Sequence, residues 1–261
     1  VKANPTGATL TAKYSSETHE DTDTRTYTVA QKPITVSGFG VNAREYDGTA
    51  TVHSVNTGNV RVFGALERDD VFAQFDSGTY DAKDAGSRTA TLTLELTGTH
   101  RDNYVLEKPT YTVQNAQITP KGVTIGGAAV QPSKIYDGTT DAAITSTSYT
   151  VDGAIGGDVG VDATSAKASY ESKDFGTDKT VTFSGFSLTG DDAKNYKLTA
   201  QPTTMANITK RTLTVTSITV ADKTYDGDAK LNDDQVSVIT VTGVNNESFN
   251  ATVSDASSYT V

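Results

Sequence analysis

The chain has 261 residues, a 35% hydrophobic fraction, a formal net charge of -10, no cysteine and no tryptophan. The acidic balance argues against a nucleic-acid partner, because phosphate binding needs clustered Lys and Arg, and zero cysteines exclude disulfides, thiolate metal sites and cysteine nucleophiles. No apolar run approaches the roughly 18 residues that would insert into a membrane, and the length fits two to three small domains.

Residues 1–31 read as the tail of a preceding unit or as N-terminal strands. Thr26-Tyr27-Thr28-Val29 resembles the later run Thr110-Tyr111-Thr112-Val113. Residues 32–120 form a first repeat. Within it, Thr89 to Leu96 alternates strictly, with Ala90, Leu92, Leu94 and Leu96 on one face and Thr or Glu on the other, which predicts a half-buried strand. Residues 121–209 form a second repeat. Tyr46-Asp47-Gly48 returns there as Tyr136-Asp137-Gly138, 90 residues on. Its predicted strands include Val123 to Val130, Ala142 to Val151, Val159 to Tyr170, Thr180 to Leu188 and Met205 to Thr209, about seven in all. A third, partial repeat occupies 210–261 and carries Tyr225-Asp226-Gly227, 89 residues after the second. The expected fold is all-β: tandem immunoglobulin-like β-sandwich repeats of about 90 residues. The junctions Ile118-Thr119-Pro120-Lys121 and Ile208-Thr209-Lys210-Arg211 lack a Gly/Ser linker, so neighbouring repeats are expected to be stiffly coupled. In the partial repeat, Val236, Val238, Ile239 and Val241 need a covering sheet, and strands from residues 1–31 of another copy would supply one.

In each Tyr-Asp-Gly motif the Tyr reads as a core residue, the Asp as an Asx-turn acceptor and the Gly as the turn residue with positive φ. Asn195-Tyr196, with Asp192 upstream, resembles a tyrosine corner, in which the hydroxyl bonds back to backbone; Tyr104 is its counterpart. Asp69-Asp70, Asp191-Asp192 and Asp233-Asp234 offer oxygens for an interdomain calcium, although no EF-hand loop is present and no other cofactor is implied. Lys134 and Lys223 share one repeat position suited to an isopeptide crosslink, but Arg44 replaces them in the first repeat. Three scattered histidines form no zinc motif, and nothing marks a catalytic triad.

Lys134-Ile135-Tyr136-Asp137-Gly138-Thr139-Thr140, Lys173-Asp174-Phe175-Gly176, Leu188 to Leu198 and Ala206-Asn207-Ile208-Thr209-Lys210 closely resemble the YDG repeat. That repeat occurs in tandem in large bacterial surface proteins, including filamentous-haemagglutinin-like and other adhesins. The resemblance covers the second repeat throughout and most of the first. The third departs, with Asp228 where the others have Thr49 and Thr139. It implies a non-enzymatic, extracellular stalk module on the bacterial cell surface that projects a distal binding region, with neighbouring repeats as partners. Host or biofilm ligands would become partners under a second reading, an adhesive or carbohydrate-binding module. A third reading is a subunit of a strand-complemented surface filament.

Overall fold

Threonine alternating with Val, Leu, Ile and Phe gives this chain its structure, because β-branched residues suit a pleated surface with one wet face. The structure is a computed structural model that describes residues 2–215, 221–225, 227 and 239–251. The N-terminal segment forms β1 (Asn4–Ser15) and β2 (Glu20–Val29). The first repeat supplies β3 (Lys32–Ser37), β4 (Gly40–Val41), β5 (Arg44–Glu45), β6 (Val55–Asn56), β7 (Arg61–Phe63), β8 (Phe72–Tyr80), β9 (Gly86–Thr97), β10 (Tyr104–Leu106) and β11 (Thr110–Thr119). The second supplies β12 (Lys121–Gly126), β13 (Ser133–Ile135), β14 (Thr150–Asp152), β15 (Gly160–Asp162), β16 (Lys167–Tyr170), β17 (Gly176–Ser184), β18 (Ser187–Thr189), β19 (Tyr196–Leu198) and β20 (Thr203–Thr209). β21 (Ile239–Thr242) and β22 (Ser248–Ala251) pair further on. Among the described residues, helix is confined to 3-10 turns at Arg101–Asn103, Ala193–Asn195 and Val244–Asn246.

The chain divides into two compact units. One holds Val1–Val123, Gly153–Val159 and Leu188–Lys197; the other holds Thr124–Asp152, Gly160–Ser187 and Leu198–Val261. In the first, β5-β11-β9-β8 form one sheet and β10-β3-β7 another. Ile34, Val71 and Tyr104 pack with Leu96, so the two sheets share a core. In the second, β13-β20-β17-β16 form a sheet. Val181, Phe183, Ala206 and Ile208 on that sheet pack with Ile125 of β12, which pairs antiparallel with β14. β1 and β2 pair with each other as an antiparallel hairpin within the same chain.

Each complete repeat has more strands than the pattern predicts, because several are only two or three residues long. The predicted strand from Thr180 to Leu188 breaks at Gly185, whose φ is 81. One extra residue also changes place between repeats. In the first it bulges β11 at Asn115, and in the second it bulges β17 at Asp178, both with left-handed backbone. A bulge inserts a residue without turning the rest of a strand inside out, so both repeats keep the same faces buried. The units do not follow the repeat boundaries at 120 and 209. Two loops of the second repeat belong to the first unit, where they pack on its Tyr-Asp-Gly end.

Phe183 is fully buried at the centre of the second core. Phe183→Ala should destabilise the second repeat by about 3–5 kcal/mol, read as a lower urea midpoint.

Candidate functional site

The two complete Tyr-Asp-Gly turns are built alike. β5 runs parallel to the end of β11, and β13 parallel to the end of β20. Tyr46 N–H then donates to Thr119 O at 2.8 Å, and Tyr136 N–H to Thr209 O at 2.9 Å. The carboxylates of Asp47 and Asp137 each accept from the backbone N–H two residues on, at 2.9 Å from Thr49 and Thr139 respectively, and from the same residue's hydroxyl at 2.8 Å. Gly48 and Gly138 take φ of 81 and 77, where a β-carbon would be strained.

A cation sits behind each turn. Arg44 lies 2.6 Å from Asp47, donates to Thr49 O at 2.6 Å, and stacks 5.0 Å over the Tyr80 ring. Lys134 occupies the same place in the second repeat. Its Nζ lies 2.8 Å from Asp137, donates to Thr139 O at 2.8 Å and Asp141 O at 2.9 Å, and rests 5.4 Å over Tyr170. Lys134 is thus a structural cation for the turn, and Arg44 does the same work. Burial opposes the charged carboxylates, yet Thr49, His53 and Arg44 together hold Asp47 down to about 2. Against the same burial, Lys134 and Thr139 hold Asp137 down to about 2. Arg44 Nε is buried without a hydrogen-bond partner, a cost that a lysine at this position would not carry.

The tyrosine corners reach further than the resemblance suggests. Tyr196 donates to Gly156 O at 2.7 Å and accepts from Ile155 N–H at 3.3 Å. Tyr104 donates to Asp69 at 2.6 Å and accepts from Leu66 N–H at 3.0 Å. In both cases the partner is a loop roughly forty positions upstream, so the bond ties a strand start to a distant loop. The hydrogen bond to Asp69, with burial, raises the Tyr104 phenol above its ordinary range.

These corners sit beside a joint inside the first unit. The Tyr46 ring, 3% exposed, meets Tyr196 edge-on at 5.5 Å between centroids. Its burial therefore involves a tyrosine from the following repeat, and that desolvation raises its phenol pKa. Beside it, Asn195 is fully buried. Its Oδ1 accepts Ala85 N–H at 2.8 Å, and its Nδ2 donates to Asp84 at 3.2 Å and Asp192 at 3.3 Å. Lys194 pairs with Asp84 at 2.9 Å, lowering the Asp84 pKa and raising its own. Asn103, which precedes Tyr104 as Asn195 precedes Tyr196, accepts Ala3 N–H at 2.8 Å. In the second unit, Tyr136 is half-buried and donates to the Glu247 carboxylate, which also pairs with Lys173 at 3.4 Å.

Of the third motif, Tyr225 is 92% exposed and Gly227 has φ of 87, while Asp226 lies outside the described residues. In the two described acidic pairs, carboxylates accept hydrogen bonds that tie distant loops together. Asp70 takes Thr99 N–H at 3.1 Å, and Asp192 takes Asp158 N–H at 2.9 Å. Asp233-Asp234, Val236 and Val238 lie outside the described residues. Among the described residues no group of three or more His, Asp or Glu side chains could hold a metal, and no helix is long and apolar enough to cross a membrane. The caging rings Tyr80 and Tyr170 and the clasping Asn103 and Asn195 were missed as functional positions in the sequence. Their signal was recurrence at nearly the same step as the Tyr-Asp-Gly motif.

Two successive modules with the same caged turn and the same asparagine make this a tandem-repeat protein of the all-β class. The sequence profile of the YDG domain matches residues 30–112 and 119–205, so the chain belongs to the YDG domain family. No curated protein and no solved structure matches it.

Two measurements check the cage. Arg44→Lys should leave thermal stability equal or higher, whereas Lys134→Met should lower it, both read by calorimetry. The folded pKa of Asp47 and Asp137, about 2, lies below the ordinary 3.8, so their contribution is present above pH 3.8 and lost as pH falls toward 2. The urea midpoint should drop across that window, and Asp137→Asn should flatten the drop.

Proposed function

We propose that this chain is a run of stalk modules from a bacterial cell-surface adhesin. Each complete repeat would be an immunoglobulin-like sandwich, and the run would hold a distal binding region away from the envelope. The observation that carries this reading is the recurring asparagine clasp. Asn103 and Asn195 each accept a backbone N–H from the segment that precedes their repeat, both at 2.8 Å. A spacer needs joints that repeat, and at Asn195 the side chain is also fully buried, which leaves that joint little freedom. Two further features support it. A single residue, Pro120, separates β11 from β12, and the net charge of -10 suits a solvated surface. Chemistry inside the modules is used for holding turns, as the cages of Asp47 and Asp137 illustrate.

The reading assigns adhesion to other parts of the parent protein. The 261-residue chain should therefore give no saturable binding on arrays of glycans and extracellular-matrix proteins. Saturable binding that survives in 0.5 M salt, about three times physiological ionic strength and enough to screen surface charge, would instead make it an adhesive module. On the cell surface, an in-frame duplication of residues 121–209 should preserve adhesion while raising the height of the distal region.

A further inference from the structure

The seat that receives Asn195-Tyr196 in the first unit has a counterpart in the second. The first seat has three walls. One is the Tyr46 ring, met by Tyr196 at 5.5 Å. The next is the Lys83-Asp84-Ala85 turn, which takes Lys194 on its carboxylate and Asn195 on its backbone. The last is the Ile155-Gly156 loop, whose backbone bonds the Tyr196 hydroxyl and whose Ile155 side chain lies over Gly48. In the second unit, Tyr136 stands for Tyr46 and Lys173-Asp174-Phe175 for Lys83-Asp84-Ala85. The turn Val244–Asn246 lies over Gly138, as the Ile155 loop lies over Gly48. Together with Lys210, Arg211, Leu213 and Phe249, these three walls line an open cavity of about 640 Å³. Cavities of roughly 300–1,000 Å³ enclose ligand-sized groups, which leaves room for an asparagine and a tyrosine side chain.

We propose that this cavity is the acceptor for the Asn-Tyr turn of a further YDG repeat. The assignment rests on the neighbouring-repeat reading above and names its contact. The chemistry of the walls matches the occupant group by group. Asp174 stands where Asp84 pairs with a lysine that precedes the asparagine. The backbone of Phe175 stands where Ala85 N–H meets the asparagine oxygen. The Phe175 ring, 57% exposed with Lys210 5.1 Å from its centroid, edges the cavity, and the Tyr136 ring stands where Tyr46 meets the entering tyrosine. Glu247 corresponds to Asp158, whose carboxylate accepts Asp191 N–H at 3.2 Å at the head of the first unit's clasping turn. Glu247 now holds the Tyr136 hydroxyl and Lys173. On entry of the turn it would exchange these for the N–H of the incoming residue that corresponds to Asp191.

The chain has no cysteine, so one introduced thiol reports one place. The probe is Phe175→Cys in the full chain, compared with the same chain carrying a second copy of residues 121–209 inserted after Thr209. Thiol labelling should slow by about tenfold or more in the extended chain, the scale of local protection lost on opening a packed contact. Asn195→Ala in the inserted copy alone should restore the fast rate. Unchanged labelling with an insert that adds its share of β signal in circular dichroism would overturn the proposal. So would protection that appears only at high protein concentration, which would make a second copy the occupant. A second variant holds if the insert fails to fold: in the 261-residue chain, Asn195→Ala should speed labelling of Ala85→Cys about tenfold, and no change would remove the donor half of the clasp. Saturable ligand binding by the chain would overturn the spacer reading while leaving this contact intact.

Discussion

One nearly buried cation behind each of the two complete Tyr-Asp-Gly turns fixes the end of its module. The side chains of Arg44 and Lys134 are only 13% and 16% exposed. A charge so far from water persists only when it is paired and most of its donors are satisfied, and Arg44 keeps one donor, Nε, without a partner. Here the Asp carboxylate, the Thr carbonyl and an aromatic face share that task. The turn cannot drift without stranding the cation, so the Tyr-Asp-Gly backbone is held against the end of the last strand. Either cation serves because the partners are mostly single oxygens and a ring face. That is a point-charge site, for which the fork of an arginine is not required.

Fixing the turn fixes the tyrosine beside it, and that tyrosine builds the joint. Tyr46 points its ring at Tyr196, and Tyr196 is itself tied by its hydroxyl to the loop at Ile155 and Gly156. Asn195 closes the contact by saturating its oxygen and its amide on the Lys83-Asp84-Ala85 turn and on Asp192. A fully buried amide is costly when left unpaired, so the arrangement tolerates little displacement. This is why two loops of the second repeat fall into the first compact unit. Repetition of the clasp at Asn103 makes it a property of the module. A stalk needs a joint that every copy can make with the next, and a clasp present in both complete repeats supports the proposed function.

Much of this was legible in the sequence, and the missing part has a physical cause. The period, the alternating strand at Ala90, Leu92 and Leu94, and the glycine with positive φ in each turn all depend on local pattern. The short strands β4, β5, β6 and β13 were hidden because two or three residues carry no periodicity. The role of Lys134 was obscured by its replacement with Arg44, which breaks a crosslink motif but preserves a cage. Asn195 was read as part of a tyrosine corner, since nothing local shows that its amide bonds a backbone N–H 110 positions away. The Tyr46 ring looked like core for the same reason: hydrophobic pattern reports burial, and it does not say which repeat provides the covering surface.

Asn195 clasps the backbone at Ala85, and amide hydrogen exchange at that single N–H is the sharpest check on the clasp. Ala85 lies in a turn between β8 and β9, outside the ladder bonds of either strand. The account predicts that its amide exchanges as slowly as those of the β9 core at Leu92. It also predicts that Asn195→Ala returns the Ala85 amide to loop-like exchange while Leu92 stays protected. An Ala85 amide that already exchanges freely in the unaltered chain would contradict the account.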